Sequence, residues 1–97
     1  MRKYEQKPIA TYLMDAPVKQ IHIHYFALMR EERGLANETV TTAAKNVGEL
    51  FSELNAKHRF SLPTKRLNVA INEDFADWDS ELKEQDKVVF IPPVAGG

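Results

Sequence analysis

The most specific chemical feature of this sequence is its C-terminal tail. A run of apolar residues ends at Ile91, two prolines follow, and the sequence closes with Gly96 and Gly97. The prolines favour a stiff, extended backbone, whereas the glycines lack side chains and accept nearly any backbone geometry. A terminal carboxylate at the end of such a segment can enter a narrow channel, and an acyl group at Gly97 is sterically open to attack. We therefore predict that Gly97 is the reacting residue. The residues that thread its carboxylate into a partner are then Pro93, Val94, Ala95 and Gly96.

An isolated Gly-Gly pair would more simply be a frayed terminus. Here the strand-like run and the two prolines before the pair argue against that interpretation. The tail is the working part of the molecule in this hypothesis, and no pocket of catalytic side chains is required.

The histidines are the candidate metal ligands. His22 and His24 alternate within a strand-like segment and therefore share a face, as two metal ligands would. His58 is the third and last histidine, and the sequence has no cysteine to complete a site. We predict no bound metal or cofactor, and we expect His22 and His24 to face solvent or a partner.

A dense acidic stretch follows Asn72. A calcium loop requires a fixed ligand spacing and a glycine at its sharp turn, and this stretch contains no glycine. We expect a solvated acidic surface that could meet a basic partner. Its residues are Glu73, Asp74, Asp77, Asp79, Glu81, Glu84 and Asp86.

Length and composition limit the possible functions. The 97 residues, 43% of them hydrophobic, suit one compact domain rather than two. The net charge of −1 and the lack of a dense basic run argue against nucleic acid as a partner. The absence of cysteine excludes a disulfide framework, a thiolate zinc site and a cysteine nucleophile. No apolar segment approaches the roughly 20 residues of a membrane helix, so we expect a soluble cytoplasmic protein without a membrane partner.

The elements that must position the tail follow from the pattern of side chains. Residues 1–17 are polar at first and are interrupted by two prolines, which indicates a flexible or loosely docked extension. Apolar and polar residues alternate from Val18 to Phe26, which predicts a half-buried strand. Good helix formers from Ala27 to Arg33, stopping at Gly34, predict a short helix.

β-Branched residues from Glu38 to Thr42 predict a second strand that pairs with the first as a hairpin. Asn46, followed by Glu49, is typical of a helix N-terminus, and helical spacing of apolar residues predicts a main helix that ends near His58. The remaining predicted elements are a strand from Leu67 to Ile71, a turn at Asn72–Asp74, a brief strand at Phe75–Ala76, a helical turn at Ser80–Leu82, a tight turn at Gln85–Asp86, and a last strand, Lys87–Ile91, buried on both faces.

The order strand, strand, helix, strand, short strand, strand is that of the β-grasp or ubiquitin-like fold. We therefore predict an α+β domain at residues 18–93, with a mixed sheet packed against one main helix. Residues 94–97 form a flexible C-terminal diglycine tail in this prediction.

Three segments resemble one known family. The run Asp86-Lys87-Val88-Val89-Phe90-Ile91-Pro92-Pro93-Val94-Ala95-Gly96-Gly97 is similar to the end of the small, sulfur-carrying subunit of molybdopterin synthase, in the MoaD/ThiS-like, ubiquitin-like family. Ile23-His24-Tyr25-Phe26-Ala27 and Asn68-Val69-Ala70-Ile71-Asn72 are similar to that family's first and third strands. The resemblance covers about residues 19–97, and it departs from the family pattern at Gln85, where a glycine is usual.

The resemblance implies a carrier mechanism. An adenylyltransferase of the ubiquitin-activating type would use ATP to adenylate the C-terminal carboxylate, and sulfur from a persulfide relay would displace AMP to give a thiocarboxylate. The tail would then enter the active site of the large synthase subunit, in a heterotetramer. There it would donate sulfur to a cyclic pyranopterin precursor, and two deliveries would build the dithiolene of the molybdenum cofactor. The chain would be no enzyme on its own, because the large subunit supplies the groups that bind the pterin.

The resemblance also implies a binding surface for the large subunit. Phe26, Phe75 and Ile91 match positions where the family presents an apolar patch on its sheet. Interface centres favour such anchors, although ordinary core residues would give the same pattern. We interpret Trp78 as a plug at the core or sheet edge rather than a ligand platform.

Other functions share parts of this pattern. A sulfur carrier for thiamine synthesis or for tRNA thiolation, or a relative that is conjugated to proteins, would have the same diglycine end. A ubiquitin-like binding module that carries nothing would share the fold but would not need the carboxylate. Deletion of Gly97 separates the two classes, because a binding module should tolerate it and a carrier should not.

Overall fold

The computed structural model describes residues 17–93. Tail residues 94–97 and the predicted N-terminal extension, apart from Pro17, lie outside the described residues. The strands are β1 (Lys19–Tyr25), β2 (Asn37–Thr42), β3 (Asn68–Ile71), β4 (Asp74–Ala76) and β5 (Lys87–Ile91). The helices are α1 (Ala27–Arg33) and α2 (Val47–His58), and a 3₁₀ turn spans Thr64–Arg66.

The five strands form one mixed sheet in the order β2-β1-β5-β3-β4. β5 runs parallel to β1, whereas the β1–β2, β3–β5 and β3–β4 pairs are antiparallel. The last strand therefore lies in the middle of the sheet. This arrangement, with one main helix, is the β-grasp fold predicted from the sequence.

Local signals explain both helices. α1 ends at Gly34, whose φ of 82° is in the left-handed region that glycine adopts without strain. α2 begins at Asn46, whose Oδ1 accepts a 2.8 Å hydrogen bond from the backbone N–H of Glu49. The Glu49 carboxylate accepts a 2.7 Å hydrogen bond from the N–H of Lys45, one residue earlier than in a standard capping box.

The core lies between α2 and one face of the sheet. Ile21, Ile23 and Tyr25 of β1 point into it, as the alternation predicted, and they pack with the apolar face of α2. Val88 and Phe90 of β5 are fully buried there. The core also includes Met29, Ala44, Val47, Leu50, Phe51, Leu54, Phe60, Leu67, Val69 and Leu82.

The connection from β4 to β5 differs from its prediction. The helical turn predicted at Ser80–Leu82 is wrong, because this segment runs along the start of α2. The Ser80 carbonyl accepts a hydrogen bond from the N–H of Val47, and the Trp78 carbonyl accepts one of 2.7 Å from the N–H of Gly48. The segment satisfies N–H groups that a helix N-terminus leaves without internal partners. The 3₁₀ turn before β3 was not predicted.

Candidate functional site

The tail leaves the domain from the centre of the sheet. Ile91, the last residue of β5, is paired with Asn68 of β3, and the preceding Phe90 is paired with both Tyr25 and Val69. Pro92 is half-buried and Pro93 is exposed. The predicted tail therefore begins on a strand that is hydrogen-bonded on both sides. The predicted reacting residue, Gly97, and the predicted threading residues 94–96 lie outside the described residues.

An aromatic cluster anchors the strand from which the tail leaves. The Phe90 ring centroid lies 6.3 Å from that of Tyr25, 5.4 Å from Phe51 and 6.1 Å from Trp78. Trp78 is partly buried and packs against the core, as its predicted role as a plug requires. Burial of a phenylalanine side chain contributes about 1.5–3 kcal/mol, so the base of the tail is held firmly.

The face of the sheet opposite α2, which we call the open face, carries the three predicted partner-binding residues. Phe75 is paired with Ala70, and Ala70 is paired with Val89, so these residues form one row across three strands. Phe26 follows Tyr25 in an extended conformation, with φ −128° and ψ 153°, and so continues the β1 alternation onto this face. Ile91 lies two residues beyond Val89 on the same side.

The open face combines exposed aromatics with a small apolar floor. Phe75 is 78% exposed and Phe26 is 51% exposed, whereas Ala70 and Val89 retain 8% and 9% of their accessible surface. Ile91 is half-buried. Exposed aromatic side chains around an apolar floor are typical of a protein-binding surface. The structure therefore places the three residues on one face, and their role in binding a partner stays a prediction.

The turn that presents Phe75 is fixed by Asn72. Asn72 and Glu73 have φ values of 50° and 77°, which suits a tight two-residue β3–β4 turn. The Asn72 Nδ2 donates a 2.8 Å hydrogen bond to Asp86, and its Oδ1 accepts one of 2.9 Å from the N–H of Lys87. Asp86 is buried and also accepts from the N–H of Lys83, so it is an exception to the solvated acidic surface that we predicted.

A polar network that the sequence did not reveal ties α1 to the sheet. The Tyr25 hydroxyl donates a 2.6 Å hydrogen bond to Glu38, and the Arg33 guanidinium donates two of 2.8 Å to the same carboxylate. The hydrogen bonds from Arg33 hold the pKa of Glu38 below its usual range. Burial and the Glu38 carboxylate raise the pKa of Tyr25, which therefore stays protonated at neutral pH. Only the pairing of β1 with β2 brings these residues together.

The histidines do not converge. His22 lies between Thr39 and Gln85, with ring-nitrogen distances of 2.9 Å to Thr39 Oγ1 and 2.6 Å to Gln85 Oε1. His24 is next to His22 on the open face, whereas His58 ends α2 on the other side of the sheet, where burial lowers its pKa. Within residues 17–93, no three histidine, aspartate or glutamate side chains are grouped as metal ligands.

A surface recess of about 690 Å³ lies along the helical side rather than on the open face. It is lined by Asn46, Gly48, Glu49, Ser52, Glu53, Thr64 and Trp78. This lining includes no residue that we predicted for the site. Neither helix in the described part of the chain is long and apolar enough to span a membrane.

Comparisons with known proteins agree with this geometry. Residues 23–97 match the model of the ThiS family. The chain is 32% identical over 87 residues to the molybdopterin synthase sulfur carrier subunit of Drosophila melanogaster, a match that covers 86% of this chain and 97% of the relative.

Two solved structures show the same fold. A putative molybdopterin converting factor, subunit 1, from Pyrococcus furiosus has a TM-score of 0.68 at 28% identity, and the match covers 78% of this chain and 99% of the other. The complex of subunits 1 and 2 of molybdopterin-converting factor from Helicobacter pylori contains a chain with a TM-score of 0.57 at 24% identity, with coverage of 80% and 99%.

Proposed function

Because the chain belongs to the ThiS family, we propose that it is the sulfur carrier subunit of a molybdopterin synthase. The observation that carries this proposal is the match through Gly97 to a family of carriers, together with a diglycine tail on a central, anchored strand. In this proposal the chain supplies a terminal carboxylate and a surface that its partner binds. It supplies no catalytic side chain of its own.

The proposed charging reaction takes place on an activating adenylyltransferase. The Gly97 carboxylate attacks the α-phosphorus of ATP and releases pyrophosphate, which leaves an acyl adenylate. The terminal sulfur of an enzyme persulfide displaces AMP to give an acyl disulfide, and a thiol then opens the disulfide and frees the thiocarboxylate. We place this chemistry in the cytoplasm, where ATP and thiols are available.

The proposed transfer takes place in the large subunit of the synthase. The tail carries the thiocarboxylate to a cyclic pyranopterin precursor, and two deliveries supply the two sulfurs of the dithiolene. The open face would bind the large subunit through Phe26, Phe75 and Ile91, in an assembly that we expect to be a heterotetramer. The complex of subunits 1 and 2 from Helicobacter pylori contains a chain with the same fold, and it supports such a partner.

The test is the intact mass of the protein isolated from its host. A carrier should contain a fraction in which one oxygen has been replaced by sulfur, and fragmentation should place the change at Gly97. If the mass stays unmodified in cells that are making molybdenum cofactor, the protein is a ubiquitin-like binding module or another non-carrier.

A further inference from the structure

Charge is distributed unevenly along the chain. No acidic residue lies between Glu53 and Glu73, and this interval contains four cations, Lys57, Arg59, Lys65 and Arg66. From Glu73 to Asp86 the sequence has seven carboxylates and a single cation, Lys83. The net charge of −1 conceals this separation.

The fold brings two of the four cations to the point where the tail leaves. Lys65 and Arg66 belong to the 3₁₀ turn directly before β3, and Asn68 of β3 is paired with Ile91. Two or three residues span at most about 7–11 Å, so both cations lie close to the last residue of β5. Both are exposed.

The other two cations are at the C-terminal end of α2. The Phe60 ring centroid lies 5.8 Å from that of Tyr25, and Tyr25 is paired with Phe90, so α2 ends at the same end of the sheet. Lys57 and Arg59 are exposed there. We call Lys57, Arg59, Lys65 and Arg66 the basic rim. Lys57 also complements the helix dipole of α2, whereas the other three lie outside the helix.

The cations of the basic rim are available to form ion pairs with another molecule. Within residues 17–93 the ion pairs join Arg33 to Glu38, Lys83 to Glu81 and Lys87 to Glu73. None of these pairs includes a rim cation. Two carboxylates lie at the same end of the domain: Glu32 of α1, which accepts a 3.0 Å hydrogen bond from the N–H of Ser61, and Asp77, which directly follows β4.

The opposite end of the sheet carries both signs of charge. Glu73 occupies the β3–β4 turn and Glu84 occupies the turn before β5, at the end where β5 begins. Lys83 and Lys87 lie at the same end and pair with Glu81 and Glu73. Within residues 17–93 the rim cations belong to no ion pair, so the end of the domain around the tail presents the less compensated positive charge. Such a distribution orients a protein as it approaches a charged surface.

We propose that the basic rim docks against an acidic margin around the channel of the large synthase subunit that receives the tail, an inference that rests on the proposed function. The enzyme that takes the tail must face this end of the domain. Four cations on a domain with a net negative charge neutralise too few phosphates for strong nucleic-acid binding, whereas a few carboxylates on a protein are enough to pair with them.

The reach of the tail limits what the rim can do. The four residues after Pro93 span at most about 14 Å, which is longer than a lysine or arginine side chain. The tail is therefore long enough to place the reacting carboxyl group inside the partner while the rim stays at the mouth of the channel. The rim acts on association and orientation and leaves the chemical step unchanged.

The test compares two charge reversals of equal size. K65E/R66E changes the rim, and K45E/K83E makes the same change in net charge with two exposed lysines near the opposite end. K65Q/R66Q is a milder rim variant. Association with the large subunit is measured by stopped-flow at ionic strengths of about 0.01 M and 1 M, where the Debye lengths are about 30 Å and 3 Å. Thermal melts check that each variant is folded.

K65E/R66E should associate at least about tenfold more slowly than wild type at low salt, and the difference should vanish at high salt. K65Q/R66Q should fall between them, and K45E/K83E should stay within about twofold of wild type. Single-turnover dithiolene formation at saturating large subunit should match wild type for every variant loaded with thiocarboxylate.

Two results would overturn the proposal for the basic rim: equal rates of association with the large subunit for K65E/R66E and wild type, or equal slowing by K45E/K83E. In each of these cases wild-type sulfur transfer still supports the proposed function. Failure of the loaded wild-type protein to form any dithiolene would instead remove the proposed function, and the rim's assignment with it.

Discussion

Tyr25 and Phe90 occupy paired positions on adjacent parallel strands, with ring centroids 6.3 Å apart. The pair joins the strand that opens the sheet to the strand that carries the tail. Both side chains are almost completely buried. The position of the tail's base therefore depends on the packing of the core.

Replacement of Phe90 by alanine should lower the free energy of unfolding by about 3–5 kcal/mol, because it leaves a cavity among Tyr25, Phe51 and Trp78. Urea denaturation measures the loss. Phe75→Ala is the matched control, and it should cost no more than about 0.5 kcal/mol because Phe75 is 78% exposed. Similar losses in both variants would show that Phe90 does not have this anchoring role.

Phe75→Asp should leave the domain folded and weaken binding of the large subunit at least about 30-fold, which corresponds to an interface hot spot of about 2 kcal/mol. The reason is that an aspartate would place a charge in the apolar part of the open face. Isothermal titration calorimetry gives the affinity. Thr41→Asp puts the same charge on β2 at the far side of this face and should bind normally. Unchanged binding by Phe75→Asp would remove Phe75 from the interface.

Glu38 should make folding stability depend on acid pH. Its pKa is lowered in the folded protein by hydrogen bonds from Arg33 and Tyr25, and His58 also favours its charged form. Its contribution is therefore complete above the ordinary glutamate pKa of about 4.3 and is lost as pH falls through the lower folded value. Glu38→Gln should be less stable than wild type at pH 7, and the gap should narrow below about pH 4.

Chemical denaturation from pH 3 to pH 7 measures this gap. Glu81→Gln is the control, since Glu81 and its partner Lys83 are 4.0 Å apart and 75% exposed, and it should follow wild type throughout. A gap between wild type and Glu38→Gln that stays constant with pH would contradict the role of the Glu38 charge.

Gln85 has a φ of 70°, which lies in the left-handed region that favours glycine. Its side chain is held by His22 and Glu84, which offsets the strain of the left-handed conformation. Gln85→Ala should be about 1 kcal/mol less stable than Gln85→Gly, because both variants lose the side-chain hydrogen bonds and only alanine keeps the strain. Thermal unfolding ranks the two variants. The reverse order would mean that the turn is not strained.

The sequence predicted those parts of the molecule that depend on neighbouring residues. Alternation identified the buried side of β1, and the spacing of Asn46 and Glu49 located the start of α2. The Ser80–Leu82 segment was predicted wrongly because its distant hydrogen bonds decide its conformation: the Ser80 carbonyl accepts from the N–H of Val47, and the N–H of Leu82 donates to the Lys45 carbonyl, both around the start of α2.

For the candidate site, too, the sequence did not predict the features that depend on contacts between distant residues. The exposure of Phe75 and its row with Val89 depend on strand order, which no local pattern contains. The Tyr25–Glu38–Arg33 network likewise requires the pairing of β1 with β2. The hypothesis for the tail, by contrast, came from its residue types and from the family resemblance, and the role of Gly97 stays a prediction.

Deletion of Gly97 tests the carrier account most directly. Phe90 is the last residue of the described core, so the shortened chain should keep its stability within about 0.5 kcal/mol. The terminal carboxyl carbon would move by one residue, up to about 3.5 Å, from where the activating enzyme and the synthase require it. The variant is mixed with activating enzyme, ATP and a sulfur source, and thiocarboxylate is measured by mass. The account predicts a folded protein with no thiocarboxylate and no dithiolene, whereas normal product from the truncated chain would contradict it.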